Sequence, residues 1–132
     1  MLAWKLAHDS CAPEIFCAPG NAGTSRFATN LDIGAEDIDG LVDWARQNRP
    51  DLTVVGPEAP LCAGISDRFE DAGLRVFGPS GAAAQLEGSK AFSKEIMQAA
   101  GVPTGKVRAF TTASEAKPFL AETGVPVVIK AD

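Results

Sequence analysis

From Thr53 to Lys94 the chain reads TVVGPEAPLCAGISDRFEDAGLRVFGPSGAAAQLEGSKAFSK, and no other stretch limits its possible folds as much. Two short apolar runs each end in Gly-Pro and pass directly into a helical pattern, and a Gly-Ser-Lys then opens another helix. An apolar run ahead of a tight Gly/Pro loop is the mark of a buried parallel strand. A helix that follows such a loop aims free backbone N–H groups at its occupant, which favours a phosphate. The order of parts predicts strand ends built for small phosphate-bearing molecules.

The same alternation extends both ways. Glu14–Ala18 is predicted as a short strand ahead of the loop Pro19-Gly-Asn-Ala-Gly-Thr24. Ile38, Leu41, Val42 and Ala45 follow the i, i+3, i+4, i+7 rule, which makes Glu36–Asn48 an amphipathic helix. Asp51–Val55 is a strand, Leu61–Ala72 a helix with Leu61, Ile65 and Phe69 inward, Arg75–Phe77 a strand and Gly81–Leu86 a short helix. Such alternation predicts a parallel sheet covered on both faces, with ligands outside the carboxyl ends of its strands. After Gly88 the pattern changes: a helix over Ser89–Ala100 with Phe92, Ile96, Ala99 and Ala100 on one face, a strand over Lys106–Phe110, a helix from about Ser114 to Thr123, and a last strand over Val125–Asp132. Thr112 and Glu115 offer a capping box, but a helix begun there would enclose Pro118, so a start at Ser114 is preferred. The domain boundary is placed near Glu87–Ser89, dividing residues 1–88 from 89–132.

Composition narrows the functional classes. In a chain of 132 residues, 45% are hydrophobic and 22% charged, which suits a globular protein and not a disordered one. A net charge of −5 leaves no basic footprint for nucleic acid. Cys11, Cys17 and Cys62 are odd in number and lack metal spacing, so they are expected as reduced thiols in a cytosolic protein. No apolar run approaches the roughly 20 residues that span a bilayer. The opening residues look like a helix already under way, with Leu2, Leu6 and Trp4 towards its buried side, and the final strand stops where a loop is due; both ends predict a fragment.

Four features are candidates for chemistry. In the Pro19–Thr24 loop, glycine permits close backbone approach to an anion, and Asn21 and Thr24 add hydrogen-bonding side chains; on these residues alone a plain turn is the better reading. In Gly56-Pro-Glu-Ala-Pro-Leu61, two prolines stiffen a loop that holds Glu58 at a strand end, where a carboxylate can accept hydrogen bonds from sugar hydroxyls or an amine. A carboxylate favourable to the next helix dipole is the plainer alternative. Gly88-Ser-Lys90 is not a Walker A loop, since Ser89, Ala91 and Ala84 occupy the places that motif reserves for Gly, Ser/Thr and Gly. Unaided, Lys90 reads as a solvated lysine. Lys130 lies among Val127, Val128 and Ile129, where an ammonium is costly without a partner or a phosphate. His8 is the sole histidine, so neither a Ser-His-Asp set nor a metal site held by side chains alone emerges. No catalytic residue is assigned.

Taken together, APGNAGT at 18–24, DLTVVGPEAPL at 51–61, FGPS at 77–80, AAQLEGSKAFSK at 83–94, GVPT at 101–104 and VVIKAD at 127–132 resemble the phosphoribosylamine–glycine ligases, the ATP-grasp enzymes also called glycinamide ribonucleotide synthetases. The resemblance covers nearly the whole chain in order, and VGPEAPL and QLEGSKAF are far more specific than a generic glycine loop. It implies a Rossmann-like pre-ATP-grasp domain lacking its first strand, followed by the start of an ATP-grasp domain. It also implies ATP-dependent ligation of glycine to 5-phosphoribosylamine through glycyl phosphate, in de novo purine synthesis, with Mg2+ or Mn2+ at the nucleotide phosphates. Pro19, Gly20, Asn21, Gly56, Pro57, Glu58 and Pro60 would hold phosphoribosylamine, and Lys90 and Lys130 would contact ATP. Small-molecule substrates, a cytoplasmic location, no nucleic-acid or membrane partner and a monomeric complete enzyme go with it.

Departures from the family pattern carry their own expectation. Family members open with a strand and a G-x-G-G-R-E-H-A loop and continue past Asp132 with a glycine-rich loop, metal-binding carboxylates and the glycine site. The chain alone is therefore expected to be inactive and marginally stable. Another ATP-grasp ligase, such as a biotin carboxylase-like enzyme, and a non-catalytic sugar-phosphate or nucleotide-binding module are the alternatives. The VGPEAPL loop argues against the first of these.

Overall fold

The backbone forms short parallel ladders flanked by helices, in a computed structural model that describes residues 1–9 and 14–131. Cys11 and Asp132, both named above, lie outside the described residues. The chain divides into two units, residues 1–82 and 83–132.

In the first unit, α1 spans Leu2–Asp9 and is followed by β1 (Phe16–Cys17) and β2 (Thr29–Asn30), which pair in parallel. The Thr29 N–H donates to the Ile15 carbonyl at 2.9 Å and the Leu31 N–H to that of Cys17 at 2.8 Å. Helix α2 (Ile38–Asn48) is capped by Asp37, whose Oδ1 accepts from the Gly40 N–H at 3.0 Å. Then come β3 (Thr53–Val54), α3 (Glu58–Cys62), α4 (Ile65–Asp71) and β4 (Val76–Phe77), with β3 and β4 parallel. α5 spans Gly81–Gly88. The second unit holds α5 from Ala83 onward, α6 (Lys90–Ala99) and α7 (Ala113–Thr123).

The mixed α/β class and the parallel pairing match expectation, but the sheet is in two pieces of two strands each. β1, β3 and β4 are each shorter than the run that predicts them, and β2 has no apolar run of its own. The helix expected over residues 61–72 is two helices. Gly64 takes φ 84°, the left-handed region, so the first helix closes on its own carbonyls and a second starts with the Gly64 carbonyl accepting from Arg68. Their inward face is as expected: Leu61, Ile65 and Phe69 are buried, with Val42 and Ala45 of α2. α2 packs on α4, and Arg68 Nη2 meets Asp39 Oδ1 at 2.5 Å across the pair.

Other expectations are corrected. Leu2 and Trp4 are exposed; Trp4 instead stacks on His8 at 4.6 Å, and His8 meets Phe27 edge-on at 5.5 Å. Phe92 and Ile96 are also exposed, and no residue of α6 is buried. Thr112 does cap α7, accepting from the Glu115 N–H, so Pro118 sits inside the helix at the loss of one backbone bond. The segments 106–110 and 125–131 form no ladder among the described residues. No backbone among the described residues bonds alongside them, and a strand exists only by pairing.

Ser66 is 1% exposed, and its Oγ has no hydrogen-bond partner among the described residues. It lies under Gly78, where an added Cβ would stand 2.9 Å from that oxygen and 2.8 Å from Leu61 Cδ2. Ser66→Ala removes an orphaned hydroxyl and improves helix propensity, so it is expected to raise the unfolding free energy by about 1 kcal/mol. Gly78→Ala should lower it by about 1–3 kcal/mol through overpacking, and the double variant should recover part of that loss. Urea denaturation of the four proteins checks this; a Ser66→Ala variant less stable than its parent would refute it.

Candidate functional site

The loop after β1 builds itself from side chains. Asn21 Oδ1 accepts from the N–H groups of Gly23 (2.8 Å) and Thr24 (3.1 Å), while Thr24 Oγ1 accepts from the Asn21 N–H at 2.7 Å. Gly20 takes φ 75°, and Pro19 follows a cis peptide bond. The side-chain oxygens of Asn21 and Thr24, expected to face a ligand, are engaged within the loop. Glycine and backbone N–H groups are then the parts of this loop suited to an anion.

Beside the loop is an open hollow of about 310 Å³. Trp4 and Phe27 give it an aromatic side, and Asn21, Gly23 and Thr24 a polar one. His8, which donates from Nδ1 to the Trp4 carbonyl at 2.8 Å, is engaged on its own helix.

The second loop sits at the end of β3. The Val55 N–H donates to the Phe77 carbonyl at 3.1 Å, the last rung before Gly56 on one strand and Gly78 on the other. Gly56 is exposed with open space where a Cβ would go. Pro57 is the N-cap of α3 and Glu58 its first residue, exposed in the first turn, where the helix dipole favours its charge. Pro60 is fully buried and serves as the loop's anchor. Asp67, which the motifs did not single out, accepts from the Gly81 N–H at 2.8 Å and so caps α5 from α4. A tertiary cap of this kind leaves no local sequence pattern.

In the second unit Lys90 begins α6 beside its cap Ser89, whose Oγ accepts from the Phe92 N–H at 3.1 Å. The Lys90 ammonium donates to the Glu87 carbonyl at 2.7 Å. That carbonyl belongs to the last turn of α5, where a cation is favoured, which offsets the poor placement of a lysine at a helix start. Lys94, one turn on, donates to Thr104 Oγ1. Lys130 is exposed, with Val128 and Ile129 beside it 83% and 75% exposed. The desolvation cost that favoured a functional reading of Lys130 is absent. Among the described residues, Cys17 and Cys62 are in no disulfide.

Two family models match in succession: the N domain of phosphoribosylglycinamide synthetase over residues 1–87 and its ATP-grasp (A) domain over residues 88–132. The chain is 50% identical over 131 residues to the phosphoribosylamine–glycine ligase of Halalkalibacterium halodurans, 49% over 133 residues to that of Escherichia coli O157:H7, and 51% over 128 residues to that of Caldanaerobacter subterraneus. These alignments cover 97–99% of the chain and 31% of each relative, so the chain spans about a third of the length of the curated relatives it matches.

The 19–24 loop has no room for a side chain at its second residue: a Cβ on Gly20 would lie 2.2 Å from Asn30 Oδ1. Gly20→Ala is therefore expected to destabilise the chain by about 1–3 kcal/mol from left-handed strain alone. Thermal melting would read the loss, and amide spectra should show it centred on residues 20–24. An unshifted melt would refute the loop's geometry.

Proposed function

The chain belongs to the phosphoribosylglycinamide synthetase family, and we propose that it carries the phosphoribosylamine-binding domain (residues 1–88) and the start of the ATP-grasp domain (residues 89–132) of an ATP-dependent carbon–nitrogen ligase. The observation that carries the reading is the succession of both family models along one chain, with glycine-rich loops at the carboxyl ends of parallel strands.

In the proposed reaction a glycine carboxylate oxygen attacks the γ-phosphorus of ATP, and ADP leaves. The amine of 5-phosphoribosylamine then attacks the acyl carbon of glycyl phosphate, and inorganic phosphate leaves as the amide forms. The part assigned to this chain is binding. Gly20 meets the sugar phosphate through its backbone N–H, its neighbours Pro19 and Asn21 shape the loop around it, and Gly56 and Pro57 allow close approach of the sugar. Glu58, exposed and fixed by Pro57 and the buried Pro60, accepts hydrogen bonds from ribose hydroxyls or the amine. Lys90 and Lys130 neutralise nucleotide phosphates, Lys90 by leaving the Glu87 carbonyl. Mg2+ or Mn2+ belongs to the proposal for the whole enzyme as the counter-ion of those phosphates. Among the described residues no three His, Cys, Asp or Glu side chains are grouped to hold a metal. A cytoplasmic, monomeric enzyme without nucleic-acid or membrane partners completes the proposal; no helix among the described residues is long and apolar enough to cross a membrane.

Ribose 5-phosphate, a stable mimic of the amine substrate, provides the test. Titrated into the chain, it should shift the amide resonances of Gly20, Asn21, Gly56 and Glu58 before those of other residues. Glu58→Gln should weaken it about tenfold, the loss expected when a hydrogen bond to a charged group goes. Shifts confined to other residues, or equal affinity in the variant, would refute the assignment. A non-hydrolysable ATP analogue should bind with about tenfold lower affinity after Lys90→Ala, since a charge-assisted contact is lost. Unchanged affinity there would refute the role of Lys90.

A further inference from the structure

Asn30 belongs to none of the motifs, yet the 19–24 loop is built around it. It ends β2, in register with Cys17 of β1, and is carried there by the parallel ladder. Its Nδ2 donates to the Asn21 carbonyl at 2.9 Å, and its Oδ1 lies 2.8 Å from the Thr24 hydroxyl, which donates to it. Thr24 Oγ1 is also 2.9 Å from the Asn21 carbonyl, so its one proton is shared between two acceptors. The carboxamide fills the space that any side chain at position 20 would need, with Cγ 2.3 Å from the site of a Gly20 Cβ.

These contacts bind the loop from its far side. The N–H groups of Asn21, Gly23, Thr24 and Ser25 are all consumed by internal bonds. Those of Gly20 and Ala22 stay outside that set. The hollow walled by Asn21, Gly23 and Thr24 takes its polar side from the loop shape that results.

We propose that Asn30 is a positioning residue for the sugar phosphate: it acts through the loop, holding the one shape in which the Gly20 and Ala22 N–H groups remain available to a phosphate. The inference rests on the reading of Pro19, Gly20 and Asn21 as binding residues. It assigns Asn30 no contact with substrate and depends on both halves of its carboxamide, the acceptor towards Thr24 and the donor towards Asn21.

Two variants of the full chain, Asn30→Ala and Asn30→Asp, test it by ribose 5-phosphate titration at pH 7 and near pH 3.5, with melting curves at both. Asn30→Ala should weaken binding about tenfold or more, as expected for loss of hydrogen bonds that organise a site. Asn30→Asp keeps the acceptor but lacks the donor until its carboxyl protonates, which for an ordinary aspartate occurs near pH 3.9. Its deficit relative to the unsubstituted chain at the same pH should therefore narrow on acidification while the melting curves show both proteins fully folded, a change that loss of fold alone does not produce. Wild-type affinity in Asn30→Ala overturns the inference and leaves the pocket assignment standing. A deficit in Asn30→Asp that stays constant with pH also overturns it, and this arm decides if Asn30→Ala does not fold. An unsubstituted chain that binds no ribose 5-phosphate sinks the pocket assignment and the inference together.

Discussion

The rung from the Val55 N–H to the Phe77 carbonyl is the constraint on which this chain most depends. Parallel pairing makes both strands end on the same side, so Gly56-Pro57 and Gly78-Pro79 leave the ladder together. The rung also fixes what lies beneath. Leu61 and Ser66, from the two helices that follow the first of these loops, pack against Gly78 of the second within a distance that only glycine permits. Asp67 then ties α4 to the start of α5. A tight turn, a glycine and a tertiary cap in succession follow from one backbone bond and the hand of the crossover it requires.

The two candidate loops keep their shapes by different physical means. The 19–24 loop is a hydrogen-bonded ring in which side-chain oxygens substitute for the missing regular ladder, and its rigidity is cooperative: remove one member and several N–H groups lose partners. The 56–60 segment relies on proline. Pro57 fixes the entry to α3, Pro60 is sunk in the core, and Glu58 is held between them with no side-chain bond among the described residues. The first arrangement is sensitive to any residue that touches the ring. The second leaves the carboxylate free to be substituted with little cost to the fold, which makes Glu58 the cleaner probe of binding and Asn30 the more demanding one.

What was legible in the sequence was whatever is local. The periodicity of α2 and the inward face of Leu61, Ile65 and Phe69 were readable because each rests on spacing alone. The break at Gly64 was missed because an isolated glycine inside an apolar pattern is as often tolerated as not. β2 was missed for a stronger reason: Thr29-Asn30 has no apolar run, and it is a strand only because β1 lies beside it. Asn30 and Asp67 were invisible for the same reason, since both act on residues brought near by the fold.

The second unit shows the converse error. Segments 106–110 and 125–131 have the composition of strands, and position 130 invited an argument from the cost of burying an ammonium. That cost depends on burial, which depends on pairing, and neither is present in the described residues. Residue composition states what a segment can pair with and how apolar that face would be; it cannot supply the partner. The proposal that Lys130 meets ATP therefore rests on the resemblance of VVIKAD to the family alone, whereas the proposal for Lys90 has a structural argument of its own. Its ammonium already sits on the last-turn carbonyl of one helix at the mouth of the next. On the proposed assignment, that contact is the one a nucleotide phosphate would replace.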